Sequence, residues 1–112
     1  MKNTPLLSLI NIPLAVILFV CSLASWAEPV WIDVRSAQEY KQDHIVGDIL
    51  ITHTQIVAKV EALYPNKDAD IHLYCRSGNR AGKAKSALEA AGYTSVVNAG
   101  GIGDARKTRG IE

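Results

Sequence analysis

Short blocks of apolar and polar residues follow one another after the first quarter of the chain, and their period changes repeatedly. Val30-Trp-Ile-Asp-Val34 is β-branched and aromatic, which predicts a first strand. Ser36 and Glu39 stand at the spacing of a capping box, which predicts a short helix ending at about Asp43. Ile49-Leu-Ile51 then predicts a second short strand.

A second helix is predicted after this strand, because apolar residues recur at helical spacing. Thr54 stands where it could cap the helix, and Pro65 would end it. The expected apolar face comprises Ile56, Val57, Val60 and Leu63.

The next segments repeat the same order of strand and helix. Ile71-His-Leu-Tyr-Cys75 predicts a third strand, and the loop Arg76-Ser-Gly-Asn-Arg80 follows it. Ala81 to Ala91 favours a helix, with Gly92 as its C-terminal stop, and Tyr93 to Val97 predicts a fourth strand. Regular alternation of strands and helices predicts a small α/β domain with a parallel sheet flanked by helices.

The C-terminal segment is polar and rich in positive charge. Gly103 to Gly110 has few apolar side chains to bury, and we expect its end to be loosely held. Arg106, Lys107 and Arg109 are interpreted as a solvated tail, with a contribution to an anion-attracting field as the alternative.

Residues 1–27 have the pattern of a secretory signal peptide. One positive residue, Lys2, precedes an apolar block, and Ser25-Trp-Ala27 places small residues at the cleavage positions. We therefore predict a signal peptide over 1–27, a domain over 28–112 and a periplasmic protein without stable membrane association after cleavage. A retained membrane anchor and a lipid-modified Cys21 are the alternatives.

Net charge narrows the range of partners. The whole chain has 12 basic and 11 acidic side chains, and cleavage would remove only Lys2 from either group. The resulting domain is formally neutral, which argues against nucleic acid and acidic membranes as partners. Cleavage would also remove Cys21 and leave Cys75 as the only thiol, so no disulfide could form within one domain.

Cys75 stands at the carboxyl end of a predicted parallel strand, where open α/β sheets commonly place their ligand sites. The loop to Arg80 is tight and includes Gly78, which can adopt a positive φ. The backbone amides of such a turn can all donate hydrogen bonds to one anion. Before any substrate binds, that anion would be the Cys75 thiolate. A cysteine at a helix N-terminus near arginines has a lowered pKa and is nucleophilic. We expect Cys75 to be the reactive residue.

Positive charge is concentrated around this loop. Arg76, Arg80, Lys83 and Lys85 fall within residues 75–85, which contain no acid. We interpret the two arginines as anion-binding groups. For Lys83 and Lys85 an exposed basic helix face is an equally good interpretation.

The three histidines, His44, His53 and His72, match no known metal-ligand spacing with Cys75. No metal site is predicted. Trp31 and Tyr74 lie on predicted strands and are expected to pack in the core.

Three segments together resemble the single-domain rhodaneses, which are thiosulfate sulfurtransferases. They are CRSGNR at 75–80, DVRSAQEYKQDHIVGDILI at 33–51 and GYTSVVNAGG at 92–101, in the family's order. The resemblance implies a persulfide on Cys75, with no cofactor. It also implies thiosulfate as donor, and cyanide, a small thiol or a protein thiol as acceptor. The substrate-binding residues that it implies are Arg76, Ser77, Gly78, Asn79 and Arg80.

The resemblance also assigns structural roles and reveals departures. Asp33-Val-Arg35 and His44-Ile-Val-Gly47 would mainly hold the fold. This chain has Asp48 where the family usually has a small residue, and Thr52-His-Thr54 where the family later has a proline. The geometry of this loop and the pocket wall beside it is therefore left open.

Two other functions remain as alternatives. A cysteine phosphatase or arsenate reductase also uses cysteine and arginine around an oxyanion loop, but with five intervening residues, whereas four separate Cys75 from Arg80. A non-enzymatic module that carries persulfide or binds anions is the second alternative. A disulfide oxidoreductase would need a second cysteine in a Cys-x-x-Cys pair, which residues 28–112 lack.

Overall fold

The computed structural model describes residues 28–112, so the predicted signal peptide lies outside the described residues. Within this range, no helix is long and apolar enough to cross a bilayer. The strands are β1 (Val30–Asp33), β2 (Ile49–Leu50), β3 (Ile71–Cys75) and β4 (Val96–Gly101). The helices are α1 (Ala37–Gln42), α2 (Ile56–Leu63), α3 (Asn79–Ala90) and α4 (Ile102–Arg109), with a 3₁₀ turn at His53–Gln55.

The four strands form one parallel sheet in the order β2-β1-β3-β4. β3 is central: Ile32 of β1 stands beside its Leu73, and Gly101 of β4 stands beside its Cys75. The register between β3 and β4 shifts between Leu73 and Cys75. This arrangement confirms the predicted α/β fold and places Cys75 at the carboxyl edge of the sheet.

Side chains of β3 alternate between the two faces of the sheet. Ile71, Leu73 and Cys75 belong to the larger core, which α2 and α3 cover. Tyr74 points to the other face, where it is fully buried in a smaller cluster with Ile45 and with Ala105 of α4. Helices therefore flank the sheet on both faces, as the alternation of elements predicted.

The capping box of α1 forms as the sequence predicted. The Glu39 amide donates to Ser36 Oγ at 3.2 Å, and the Ser36 amide donates to Glu39 Oε1 at 3.0 Å. These two bonds satisfy backbone donors that the first turn of a helix leaves unpaired.

Three details of the predicted elements were wrong. Thr54 lies inside the 3₁₀ turn and caps nothing, since α2 begins at Ile56 without a side-chain cap. Leu63, expected on the buried face of α2, is 51% exposed. Tyr93 is not part of β4: it is buried in the larger core, and its hydroxyl donates to the Tyr64 carbonyl oxygen at 2.8 Å.

The expectation of a loosely held C-terminal tail was also wrong. The segment forms α4, and its Ala105 is fully buried. Two bidentate ion pairs attach it to the segment after α1: Arg106 binds Asp43 at 2.8 and 2.9 Å, and Arg109 binds Asp48 at 2.6 and 3.0 Å. The arginines interpreted as solvated are thus partners in long-range contacts.

Asp48, the departure from the family pattern, has a structural explanation. Besides Arg109, its carboxylate accepts a hydrogen bond of 2.6 Å from the Tyr74 hydroxyl. The Arg109 guanidinium also lies 4.3 Å from the centre of the Trp31 ring. Burial, together with the Asp48 carboxylate, raises the pKa of Tyr74 far above its ordinary value. Asp48 therefore joins β3 and α4 across the smaller cluster.

Candidate active site

Cys75 ends β3, and the chain turns sharply before α3 begins four residues later. Gly78 makes the turn possible, because its φ of +99° lies in the left-handed region that other residues rarely adopt. The residue at the beginning of α3 is Asn79, and Arg80 follows within its first turn. The Cys75 side chain is thereby held at the N-terminal end of α3, with 1% of the residue exposed.

The loop amides face the sulfur. The Gly78 amide donates to Cys75 Sγ at 2.9 Å. Burial is the largest single influence on the thiol and would raise its pKa, but the amides of Ala81, Ser77, Gly78 and Arg80 together outweigh it. The pKa of Cys75 is therefore lowered, and the thiolate is favoured although the side chain is enclosed.

Arg80 is held beside this sulfur by Glu39. Its guanidinium donates two hydrogen bonds to the carboxylate, of 2.6 and 2.9 Å. The pairing lowers the pKa of Glu39 strongly and raises that of Arg80, to which the Cys75 thiolate also contributes. Glu39 thus links the capping box of α1 to the cysteine loop. Sequence reasoning recognised only its capping role, because the Arg80 contact spans 41 residues of chain.

Arg76 has a different environment. Its side chain is exposed and borders a cleft of about 320 Å³ together with Arg35, Glu39, Gln42 and Asp43. Cys75 itself does not line this cleft, but Arg76 follows it directly. A second cavity, of about 400 Å³, lies at the opposite end of the sheet beside Val30 and Asp70. Of these two cavities, the cleft at Arg76 is the one bordered by the residue that follows Cys75 in the chain.

Arg35 forms a fixed wall of this cleft. Its Nε lies 3.0 and 3.1 Å from the two carboxylate oxygens of Asp33, and its Nη2 donates to Asp33 at 2.8 Å. Nη2 also donates to the Asp43 carbonyl oxygen at 2.6 Å. The Asp33 hydrogen bonds are the main reason that the pKa of Arg35 is raised. This geometry agrees with the structural role expected for the Asp33-Val-Arg35 segment.

The end of β4 packs against the cysteine loop. Asn98 donates from Nδ2 to the Gly78 carbonyl oxygen at 3.0 Å and accepts from the Gly100 amide at 2.9 Å. A Cβ built on Gly101 would collide with the backbone carbonyl of Arg76. Gly101 therefore permits close backbone approach to the cysteine loop.

The other predicted site residues are not all brought to the sulfur. Ser77 contributes its backbone amide, whereas its side chain and that of Asn79 make no hydrogen bond to the described part of the chain. Lys83 is exposed, and Lys85 pairs with Glu89 on the surface of α3 at 3.1 Å. The two lysines thus belong to an exposed basic helix face.

Two of the histidines contact aromatic or acidic side chains. The His44 ring stacks on Tyr40 with centroids 4.1 Å apart. The His72 ring stacks on Trp31 at 4.5 Å, and its Nε2 lies 3.0 Å from the Asp70 carboxylate. Residues 28–112 contain no group of three histidine, cysteine or acidic side chains placed to hold a metal ion.

Comparisons with known proteins show the family of the chain. The rhodanese-like domain family matches residues 22–105. The chain is 39% identical over 85 residues to the thiosulfate sulfurtransferase PspE of Escherichia coli, covering 76% of this chain and 82% of PspE. It is 30% identical over 67 residues to the putative sulfur carrier protein YrkF of Bacillus subtilis, covering 60% of this chain and 35% of YrkF.

Solved structures of rhodanese-type proteins have the same fold as this chain. A rhodanese with anions from E. coli superposes with a TM-score of 0.65 at 38% identity, covering 69% of this chain and 91% of that one. A thiosulfate sulfurtransferase from Pseudomonas aeruginosa has a TM-score of 0.65 at 24% identity, covering 72% of this chain and 16% of that one. The second likeness is one of fold alone.

Proposed function

The chain belongs to the rhodanese-like domain family and is a sulfurtransferase of that class, and from this premise we propose that thiosulfate is its donor and Cys75 its sulfur carrier. The supporting observation is the buried Cys75 sulfur at the head of α3, which accepts the Gly78 amide at 2.9 Å and has a lowered pKa. A thiolate, and not a thiol, is the nucleophile that sulfur transfer requires.

The first half-reaction loads the enzyme. The Cys75 thiolate attacks the outer sulfur of thiosulfate, a new S–S bond forms, and the S–S bond of thiosulfate breaks. Sulfite leaves with the electron pair of that bond, and the outer sulfur stays on Cys75 as a persulfide anion. We expect the amides that favour the thiolate to stabilise the persulfide charge as well.

The two arginines have different parts in this proposal. Arg80, fixed by Glu39, stabilises the charge on the Cys75 sulfur. Arg76, exposed at the cleft, binds the sulfonate end of thiosulfate. The amides of Ser77 and Gly78 surround the transferred sulfur, and Asn79 begins α3 beside them. No metal or organic cofactor takes part in either step.

The second half-reaction unloads the enzyme onto an external acceptor. Residues 28–112 contain no second cysteine that could resolve the persulfide. Cyanide, a small thiol or a protein thiol therefore takes the sulfur. We also propose that residues 1–27 direct export to the periplasm.

Initial-rate kinetics test the proposal. Covalent catalysis in two half-reactions predicts parallel lines when thiosulfate and cyanide are varied together. Intersecting lines, which require both substrates to be bound at once, would contradict it. An aryl phosphate assayed beside thiosulfate separates this function from a cysteine phosphatase, and preferential turnover of the phosphate would overturn the assignment.

A further inference from the structure

Residues 28–112 contain five arginines, and carboxylates hold four of them. Arg76 is the exception: within this range it has no carboxylate partner, and its side chain is exposed. The four pairs are Arg35–Asp33, Arg80–Glu39, Arg106–Asp43 and Arg109–Asp48.

The cleft that Arg76 borders therefore has one uncompensated charge. Two of its lining residues, Glu39 and Asp43, are acidic, but each accepts two hydrogen bonds from a guanidinium that does not line the cleft. Arg35 is neutralised by a buried aspartate, and Gln42 is uncharged. The remaining charge is the positive one of Arg76, so the cleft attracts anions.

This charge remains available in the second half-reaction. Sulfite leaves before the acceptor enters, so the group that bound the sulfonate is free again when the acceptor arrives. The cleft volume of about 320 Å³ admits a small organic molecule. An exposed guanidinium binds a carboxylate in bidentate geometry as readily as a sulfonate.

We propose that Arg76 binds an anionic group of the acceptor, so that the preferred small acceptors are thiols bearing a carboxylate. This inference rests on the proposed persulfide chemistry of Cys75. The acceptor thiolate attacks the outer sulfur of the persulfide and forms a new S–S bond. The bond from that sulfur to Cys75 breaks, its electron pair returns to Cys75 as thiolate, and the acceptor leaves as its own persulfide. No oxidant or reductant is required.

The test isolates the second half-reaction. The full chain is loaded with thiosulfate, freed of donor and mixed with mercaptopropionate, mercaptoethanol or cysteamine, and loss of one sulfur is followed by intact mass. We compare each rate between wild type and Arg76→Gln, since the intrinsic reactivity of each thiol cancels in that ratio. Arg76→Gln should slow discharge by mercaptopropionate about fivefold, as one exposed ion pair allows. Discharge by mercaptoethanol should slow by a clearly smaller factor, and discharge by cysteamine should slow least or rise.

Lys83→Gln is the matched control, because it removes an equal charge from an exposed position on α3 that does not line the cleft. It should leave all three rates unchanged. In wild type, raising the salt concentration should reduce the advantage of mercaptopropionate. Equal slowing of all three thiols in Arg76→Gln, or an equal effect in Lys83→Gln, would overturn the inference while leaving persulfide formation intact. Failure of wild type to gain sulfur from thiosulfate would overturn the proposed function as well.

Discussion

The guanidinium of Arg80 and the carboxylate of Glu39 meet in a bidentate pair, with hydrogen bonds of 2.6 and 2.9 Å, directly beside the buried Cys75 sulfur. The same carboxylate completes the capping box of α1. One side chain therefore connects the beginning of a peripheral helix to the nucleophile, and its removal should affect chemistry more than folding.

Glu39→Gln tests this connection. Glutamine can still accept the Ser36 amide and so keep the cap, but it loses the charge and one of the two acceptors for Arg80. We expect kcat/KM for thiosulfate to fall several-fold, because Arg80 is no longer fixed at the sulfur, and the unfolding free energy to fall by only about 1 kcal/mol. Steady-state kinetics and urea denaturation measure the two effects.

Glu89→Gln provides the control for Glu39→Gln, since it breaks an ion pair with Lys85 on the outer surface of α3. It should leave kcat/KM unchanged. If Glu39→Gln retained full kcat/KM with only a stability loss, Glu39 would be a structural residue and not a positioning one.

The glycine at the end of β4 should be intolerant of substitution. A methyl group at Gly101 meets the Arg76 backbone carbonyl, and the strand cannot retreat without breaking its register with Cys75. Gly101→Ala should therefore destabilise the fold by about 1–3 kcal/mol and reduce the rate of sulfur loading. Thermal unfolding and single-turnover kinetics measure these losses.

Gly103 gives a control within the same segment. It lies in α4, and a Cβ built there meets nothing within 4 Å. Gly103→Ala should leave transfer unchanged and stabilise the protein by up to about 1 kcal/mol through helix propensity. Equal losses in both variants would show that the end of β4 has no special contact with the loop.

Much of this site could be predicted from the sequence, because it is built from local features. The third strand, the loop glycine and the helix after it are local features, set by residue types that are adjacent in the chain. The helix begins at Asn79, two residues before the predicted Ala81, so the turn after Cys75 is shorter than the predicted loop to Arg80. The capping box of α1 is local too. Each of these features can be predicted without knowing which distant residues contact it.

The parts that sequence reasoning missed depend on distant contacts. α4 is too polar to predict as a packed helix, and it is fixed by Asp43 and Asp48, 63 and 61 residues away from their arginines. The Arg80 contact of Glu39 has the same character, since the two partners are 41 positions apart in the chain. Thr54 was misjudged because the chain enters α2 through a 3₁₀ turn instead of a side-chain cap.

The attachment of α4 can be measured at Asp48. Its side chain is 5% exposed and accepts hydrogen bonds from both Tyr74 and Arg109. Asp48→Asn leaves the guanidinium without its countercharge, and we expect a loss of about 2–3 kcal/mol in urea denaturation. Asp43→Asn, which breaks the more exposed pair with Arg106, should cost clearly less. The reverse order would contradict the assignment of Asp48 as the main attachment.

The reactivity of Cys75 should depend on pH in a definite direction. Because the pKa of the folded thiol is lowered, its alkylation by iodoacetamide should persist below the range near 8.5 at which a free thiol loses reactivity. Reactivity should fall only as the pH drops through the lowered pKa. A titration midpoint at or above that of a free thiol would contradict the role of the loop amides.

The unfolding free energy should also depend on pH because the pKa of Cys75 is lowered in the folded state. Ionisation of Cys75 favours the folded state above the pKa of the unfolded thiol, and this contribution disappears as the pH falls through the lower pKa of the folded state. The unfolding free energy of wild type minus that of Cys75→Ser should therefore rise with pH across this interval. A constant or falling difference would argue against a stabilised thiolate.

Intact mass after exposure to thiosulfate tests the central claim most directly. The protein should gain the mass of one sulfur atom, the gain should disappear on addition of cyanide, and Cys75→Ser should gain nothing while it remains folded. Sulfur loading of Cys75→Ser, or no loading of the wild-type protein, would contradict a persulfide carried on Cys75.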